Sequence, residues 1–126
     1  MRLEQIVLHN FLSHEDTTFE PDGARLATLQ GPNGAGKSSI LDAVRYVLFD
    51  DARGRTDQLV RLGSSEMSAT VTFVFASARY RVTRGRSSRA GGKSYLELHV
   101  ADGDGWRPLT GESIRETQAS IEELLR

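Results

Sequence analysis

The stretch Gly31-Pro32-Asn33-Gly34-Ala35-Gly36-Lys37-Ser38-Ser39 constrains this chain more than any other. It completes the Walker A pattern G-x-x-x-x-G-K-[ST], a loop that wraps a phosphate chain with backbone N–H groups. Gly31, Gly34 and Gly36 allow the close backbone approach and the unusual dihedrals that such a cradle needs. Lys37 brings a mobile ammonium to the β- and γ-phosphates, and the Ser38 hydroxyl is suited to ligate Mg²⁺. An apolar run (Leu26, Ala27, Leu29) leads in and an amphipathic helical pattern leads out. Strand, loop and helix in that order aim the positive end of the helix at the bound anion. The pattern implies binding of a nucleoside triphosphate; it reads phosphates and leaves the base open.

The remaining composition mostly excludes. A chain of 126 residues makes one domain with a real core. Its 16 basic and 17 acidic residues nearly cancel, so net charge names no partner. Without cysteine there is neither a disulfide framework nor a thiolate metal site. No long apolar run or leader is apparent, which gives an expectation of no membrane partner and a cytoplasmic location. Only Lys37 and Lys93 are lysines; every other basic residue is arginine. The chain thus keeps a compact ammonium for the loop, where a planar fork is the wrong tool.

Periodicity predicts strands at 2–9, 17–20, 24–30, 68–76, 79–84 and 94–100, and a short one at Trp106-Arg107. Asn10 to Glu15 reads as a loop, and Asp102-Gly103-Asp104-Gly105 as a turn. A helix is expected from Ser38 to Phe49, with Ile40, Leu41, Val44, Val47 and Leu48 inward. A short helix is placed around 56–60. Thr110 is placed as the cap of a last helix reaching Arg126, with Ile114, Thr117, Ile121, Leu124 and Leu125 inward. This order is not a run of βα units. It predicts an α/β P-loop core with an added antiparallel β-meander.

Val47-Leu48-Phe49-Asp50-Asp51 imitates a Walker B signal, an apolar run ending in acids. A Walker B carboxylate must end a strand beside the loop strand, whereas these residues end the helix that leaves the loop. Hydrolysis needs a carboxylate to help hold Mg²⁺ and a group to orient water. Neither is evident, so this chain by itself is expected to bind ATP rather than cleave it efficiently. Arg79, Arg81, Arg84, Arg86, Arg89 and Lys93 form a basic stretch with no acid between Met67 and Leu96. Arg84, Arg86, Arg89 and Lys93, toward a Gly/Ser-rich hairpin tip, are candidate contacts to DNA phosphates. A merely solvated hairpin in an Arg-rich chain accounts for them equally well. Tyr80 and Tyr95 read as residues that pack into the sheet, with stacking on bases as the alternative. His9, His14 and His99 have no metal or triad spacing, and Trp106 reads as a packing residue.

The strand Leu3-Glu4-Gln5-Ile6-Val7-Leu8, then Asn10-Phe11-Leu12-Ser13-His14, then the Gly31 to Ser39 loop and Leu41-Asp42-Ala43 resemble the start of SMC-like, ABC-type DNA-repair ATPases, the SbcC family above all. Leu59-Val60-Arg61-Leu62-Gly63, the strand at 69–75 and Tyr80-Arg81-Val82-Thr83-Arg84 are similar to the segments that follow in that family. The resemblance implies the N-terminal part of an ABC-type head. It implies ATP and Mg²⁺ as ligands, and places Asn33, Gly34, Ala35, Gly36, Lys37, Ser38 and Ser39 at the phosphates and metal, with Lys37 the catalytic contact. It places Ser13, His14, Arg61 and Leu62 near the adenosine or its phosphates. Leu12 departs from the pattern, because relatives often carry Arg there, and a phosphate contact goes with it.

By the same resemblance, a Q-loop, a coiled coil, a signature motif and a Walker B strand belong to the remainder of such proteins, so residues 1–126 amount to the Walker A half of a head. The implied partners are the C-terminal half of the same head, a second head joined through ATP, an SbcD-type nuclease and double-stranded DNA at the nucleoid. The implied function is an ATPase of double-strand-break repair whose head closure gates DNA access for the nuclease. The alternatives are a DNA-tethering ATPase of SMC, RecF or RecN type, and a non-catalytic ATP- or DNA-binding module.

Overall fold

The computed structural model describes residues 1–12, 14–20, 34–50, 63–87 and 93–125, with backbone alone for 34–39. Six strands form one sheet: β1 (Arg2–Phe11), β2 (His14–Phe19), β3 (Glu66–Phe75), β4 (Ala78–Ser87), β5 (Ser94–Asp102) and β6 (Gly105–Pro108). Their order is β2-β1-β3-β4-β5-β6, with every neighbouring pair antiparallel. Helices α1 (Gly34–Phe49) and α2 (Ile114–Leu124) complete the described elements. The expected meander is therefore β3 to β6, and β1 lies between β2 and β3. The expected strand at 24–30 and short helix at 56–60 fall outside the described residues.

Alternation decides which face receives the helices. Met67, Ala69, Val71 and Phe73 of β3 are buried on one face, as are Leu96, Leu98 and Val100 of β5. Tyr80, Val82 and Arg84 of β4 share that face through the pairs Phe73↔Tyr80, Val71↔Val82 and Ala69↔Arg84. In β1 a register shift between Leu3 and Gln5 lets Leu3, Ile6 and Leu8 all point inward. Asn10 takes φ 52°, and Phe11 just beyond it is buried against Tyr46 of α1, with ring centroids 6.0 Å apart. Both irregularities keep large side chains on the helix side where strict alternation would send one outward.

α1 buries Ile40, Ala43, Val44, Tyr46, Val47 and Leu48 against this face, and Leu41 is half-buried. The helix begins at Gly34, four residues earlier than the pattern suggested. Two other expectations change. The loop expected from Asn10 to Glu15 shrinks, because β1 continues to Phe11 and pairs it with His14. The last helix is capped by Ser113, not Thr110: Ser113 Oγ accepts from the Glu116 N–H at 3.1 Å, and Glu116 Oε2 accepts from the Glu112 N–H at 3.0 Å. Thr110 is occupied on β5, where its hydroxyl accepts from the Leu98 N–H and donates to the Leu98 carbonyl. Ile114 is then the first helical residue and 40% exposed, whereas Thr117 and Ile121 are buried as expected.

The face opposite the helices carries polar and charged side chains. Thr70 and Thr83 share a hydroxyl hydrogen bond of 3.0 Å. Arg79 forks onto Glu4 at 2.6 and 3.2 Å, and the Arg81 guanidinium lies 4.5 Å from the centre of the Trp106 ring. Gly85 pairs with Tyr95 across β4 and β5, and a Cβ on Gly85 would stand 2.6 Å from the Tyr95 ring and 2.7 Å from the Met67 carbonyl oxygen. Gly85→Ala must therefore shift both a ring and a strand backbone. A loss of about 1–3 kcal/mol in urea denaturation is expected, and an unchanged midpoint would refute the close packing.

Candidate functional site

The first turn of α1 is built from the Walker A residues themselves. Gly34, Ala35, Gly36 and Lys37 open the helix, so their N–H groups are the four that an α-helix leaves without an intrahelical partner. No acidic residue occupies that turn. Four donors without an intrahelical partner, at the positive end of a 16-residue helix whose first turn carries no acid, suit a phosphate chain. Ser38 and Ser39 follow in the same helix. Asn33, Ser13, Arg61 and Leu62 lie outside the described residues, as does Arg89.

The other end of α1 is held by groups from elsewhere in the chain. The helix has no basic residue in its last turn. Arg84, only 4% exposed, reaches it from β4 and donates from Nε to the Val47 carbonyl at 3.1 Å. Its Nη2 donates to Gln118 Oε1 of α2, while Gln118 Nε2 donates to the Leu48 carbonyl at 3.0 Å. The guanidinium lies 5.7 Å from the centre of the Tyr46 ring, and Asp50 Oδ1 stands 3.9 Å from Nη1. Two orphan carbonyls, a cation and a second helix are joined in one buried cluster.

This arrangement corrects the expectation that Arg84 contacts DNA. β4 runs to Ser87, so Arg84 sits inside the sheet, and its parity with Tyr80 and Val82 turns it toward the helices. Asp50 is a helix-end residue with φ 54°, which agrees with rejecting it as a Walker B carboxylate. Arg84 and Gln118 lie 34 residues apart, and no local motif announces the pair. The one available signal was Arg84 at an inward position of an alternating strand.

Lys93 is exposed and meets His9, Glu66, Ser68 and Tyr95 around a cleft of about 280 Å³, whereas the half-buried Arg86 pairs with Met67 and shares the parity of Arg84, near Tyr46 and Asp50. His14 opens β2, where its Nδ1 is 3.0 Å from Thr17 Oγ1. Its Nε2 is buried and has no hydrogen-bond partner among the described residues. His9 Nδ1 meets Asp16 at 2.8 Å. Among the described residues no His, Asp and Glu cluster could hold a metal ion.

Burial pushes the Tyr46 phenol up to about 12, against the pull of the Arg84 cation, and burial likewise lowers Arg84 from its ordinary value while Asp50 opposes the shift. The folded chain keeps the Tyr46 proton between about pH 10 and 12, where the unfolded chain releases it. Stability is thus untouched by this group below pH 10 and falls as pH rises toward 12, by about 2–3 kcal/mol. Tyr46→Phe should flatten that part of a stability-versus-pH curve. Arg84→Ala should cost about 3 kcal/mol in chemical denaturation, since it leaves a carbonyl and an amide unpaired in the interior. Arg84→Lys should recover only part of this, because one ammonium cannot span Val47 and Gln118 in the same geometry.

Comparison with known proteins places this geometry. The AAA domain family matches residues 5–124. The Rad50 ATPase of DNA double-strand break repair from Thermoplasma acidophilum is 31% identical over 98% of this chain and 13% of its own length. The SbcC component of the SbcCD nuclease from Deinococcus radiodurans is 32% identical over 99% of this chain and 14% of its own length. The chain thus spans only about a seventh of these relatives. The SMC head domain from Thermotoga maritima superposes with a TM-score of 0.54 at 23% identity, covering 92% of this chain and 41% of that one, which establishes the fold as the N-terminal part of an ABC-type P-loop head. With its sheet, its Walker A helix and this match over nearly the whole sequence, the chain belongs to the AAA domain family, among the SMC-like ATPase heads of SbcC/Rad50 type.

Proposed function

We propose that residues 1–126 form the ATP-binding, N-terminal portion of the head of a DNA double-strand-break repair ATPase. The observation that carries this reading is that α1 opens on the Walker A residues Gly34 to Lys37, with no acid in its first turn, in a head of SbcC/Rad50 type. Bound Mg-ATP supplies the polyanion and the cleavable phosphoanhydride. The backbone donors of Gly34, Ala35, Gly36 and Lys37 hold the phosphates, and the Lys37 ammonium neutralises their charge. Ser38 ligates Mg²⁺, and Asn33 and Ser39 complete the cradle. Ser13 and His14, with Arg61 and Leu62, line the nucleoside side.

Turnover in this reading requires the remainder of the head and a second head, joined through ATP, with closure controlling DNA access for an SbcD-type nuclease. The names of the Thermoplasma and Deinococcus relatives support the repair assignment. Arg86, Arg89 and Lys93 are the candidate contacts to double-stranded DNA, and Arg84 is no longer among them. A location in the cytoplasm at the nucleoid goes with that partner, and no described helix is long and apolar enough to cross a membrane. A second reading, a DNA-tethering ATPase without a nuclease, has its own support: the chromosome partition protein Smc of Bordetella petrii is 39% identical over 64% of this chain. Co-purification of a nuclease partner separates the two.

Titration with Mg-ATP by calorimetry, beside Lys37→Ala, tests the reading. Loss of one charged hydrogen-bonding group should weaken binding about 10- to 100-fold. Equal affinity in the two proteins would overturn the assignment of the loop.

A further inference from the structure

The tyrosines of the described residues have different surroundings. Tyr46 is buried under Arg84, and Tyr80 stacks on Phe73 with centroids 5.6 Å apart. Tyr95 is 41% exposed. Its ring lies on the bare backbone of Gly85, so close that a Cβ there would stand 2.6 Å from Cζ and Oη. One face of the ring is supported by the sheet and the rest is presented outward, on the face opposite the helices. A rigid aromatic surface in that position loses little entropy when something stacks on it.

The ring also borders the 280 Å³ cleft, together with Lys93, His9, Ser68 and Glu66. Lys93 is an exposed cation two residues from the ring. Glu66, exposed at the start of β3, offers a carboxylate that accepts from an exocyclic amine of a base. A cation beside an aromatic platform is the combination that binds single-stranded nucleic acid, the phosphate going to the cation and the base to the ring. Within a paired duplex each base face is covered by its neighbours, so away from the ends only an unpaired nucleotide can use Tyr95.

We propose that Tyr95, backed by Gly85 and flanked by Lys93 and Glu66, is a stacking site for an unpaired nucleotide of single-stranded or frayed DNA. This rests on the DNA-repair reading but assigns a different surface from the nucleotide loop. Lys93 steers the phosphate, Tyr95 takes the base, and Glu66 favours the bases with an exocyclic amine (cytosine, adenine and guanine) over thymine.

The test measures fluorescence anisotropy of labelled DNA with the full-length protein, comparing a blunt duplex with the same duplex carrying a single-stranded cytosine tail. Tyr95→Ala should weaken binding of the tailed DNA about 5- to 100-fold, in line with one lost base–aromatic stack, and leave the blunt duplex within twofold. Tyr95→Phe should bind the tail like the wild type, which guards against a folding defect. A thymine tail should bind more weakly than a cytosine tail, and Glu66→Gln should narrow that gap. Equal binding of the tail by wild type and Tyr95→Ala overturns the proposal, as does an equal loss for tailed and blunt DNA. Mg-ATP binding separates the two levels: if ATP and blunt duplex bind while Tyr95 proves indifferent, only this site fails. If neither ATP nor any DNA binds the wild type, the repair reading fails with it.

Discussion

A single guanidinium at the C-terminal end of α1 governs how the helix is seated. The helix ends with no basic residue of its own, and its last carbonyls face the interior. Arg84 answers the Val47 carbonyl and Gln118 the Leu48 carbonyl, while Arg84 and Gln118 also bond to each other. Burying a cation is costly, which is why burial lowers the Arg84 pKa; the cost is offset by the carbonyl, the amide, the Tyr46 ring and the nearby Asp50. α1 thus meets positive charge where its dipole is negative, while its other end carries the positive pole of that dipole and no acid. A helix of 16 residues is about 24 Å long. Over that length the cluster ties the N-terminal turn of α1 to β4 and α2. A shift of α1 along its axis must either break the Val47 and Leu48 contacts or carry α2 with it.

The two faces of the sheet follow from this seating. Every strand under α1 must present apolar side chains at alternate positions, and Arg84 occupies one of those positions because its charge is consumed at the helix end. The opposite face has no such demand and fills with Thr70, Thr83, Arg79 and Arg81, with Trp106 covered by Arg81. The described edges are also blunt. β2 exposes Glu15 and Asp16, and β6 has four residues and ends at Pro108, so neither offers a long apolar strand for pairing with another chain.

Much of the fold was legible in the sequence, because its signals are local. Alternation located β3 and β5, the Asp102 to Gly105 turn closed β5 onto β6, and the Walker A loop fixed the start of α1 to within a few residues. The errors came from two sources. One was competition between nearby polar residues: Thr110 and Ser113 both suit a helix cap, but only Ser113 has a glutamate three residues on, and Thr110 is drawn to β5 instead. The other was distance. Nothing near Arg84 in the chain reveals that Val47 and Gln118 will surround it, so an arginine in a basic stretch read as a surface contact. Likewise the hairpin at Ala76 and Ser77 turns with two residues at positive φ and no glycine, a conformation the residue types do not signal.

Backbone and side-chain recognition leave different traces in a sequence, and the two proposed sites of this chain illustrate both. A phosphate held by helix N–H groups requires glycines and a lysine at fixed spacing, because the backbone must lie close to the ligand; the requirement is contiguous and therefore readable. A base held on a ring requires only that one aromatic side chain be supported on a sheet and left uncovered. Tyr95 acquires that property from Gly85 across the sheet, ten residues earlier in sequence, and its charged neighbours Lys93 and Glu66 arrive from two different strand ends. Residue type alone cannot distinguish it from Tyr80, which is also a strand tyrosine but faces the core. Strand parity makes the difference: Tyr80 pairs with Phe73 on the helix side, whereas Tyr95 pairs with a glycine on the open side, where no side chain stands between the ring and the strand beneath it.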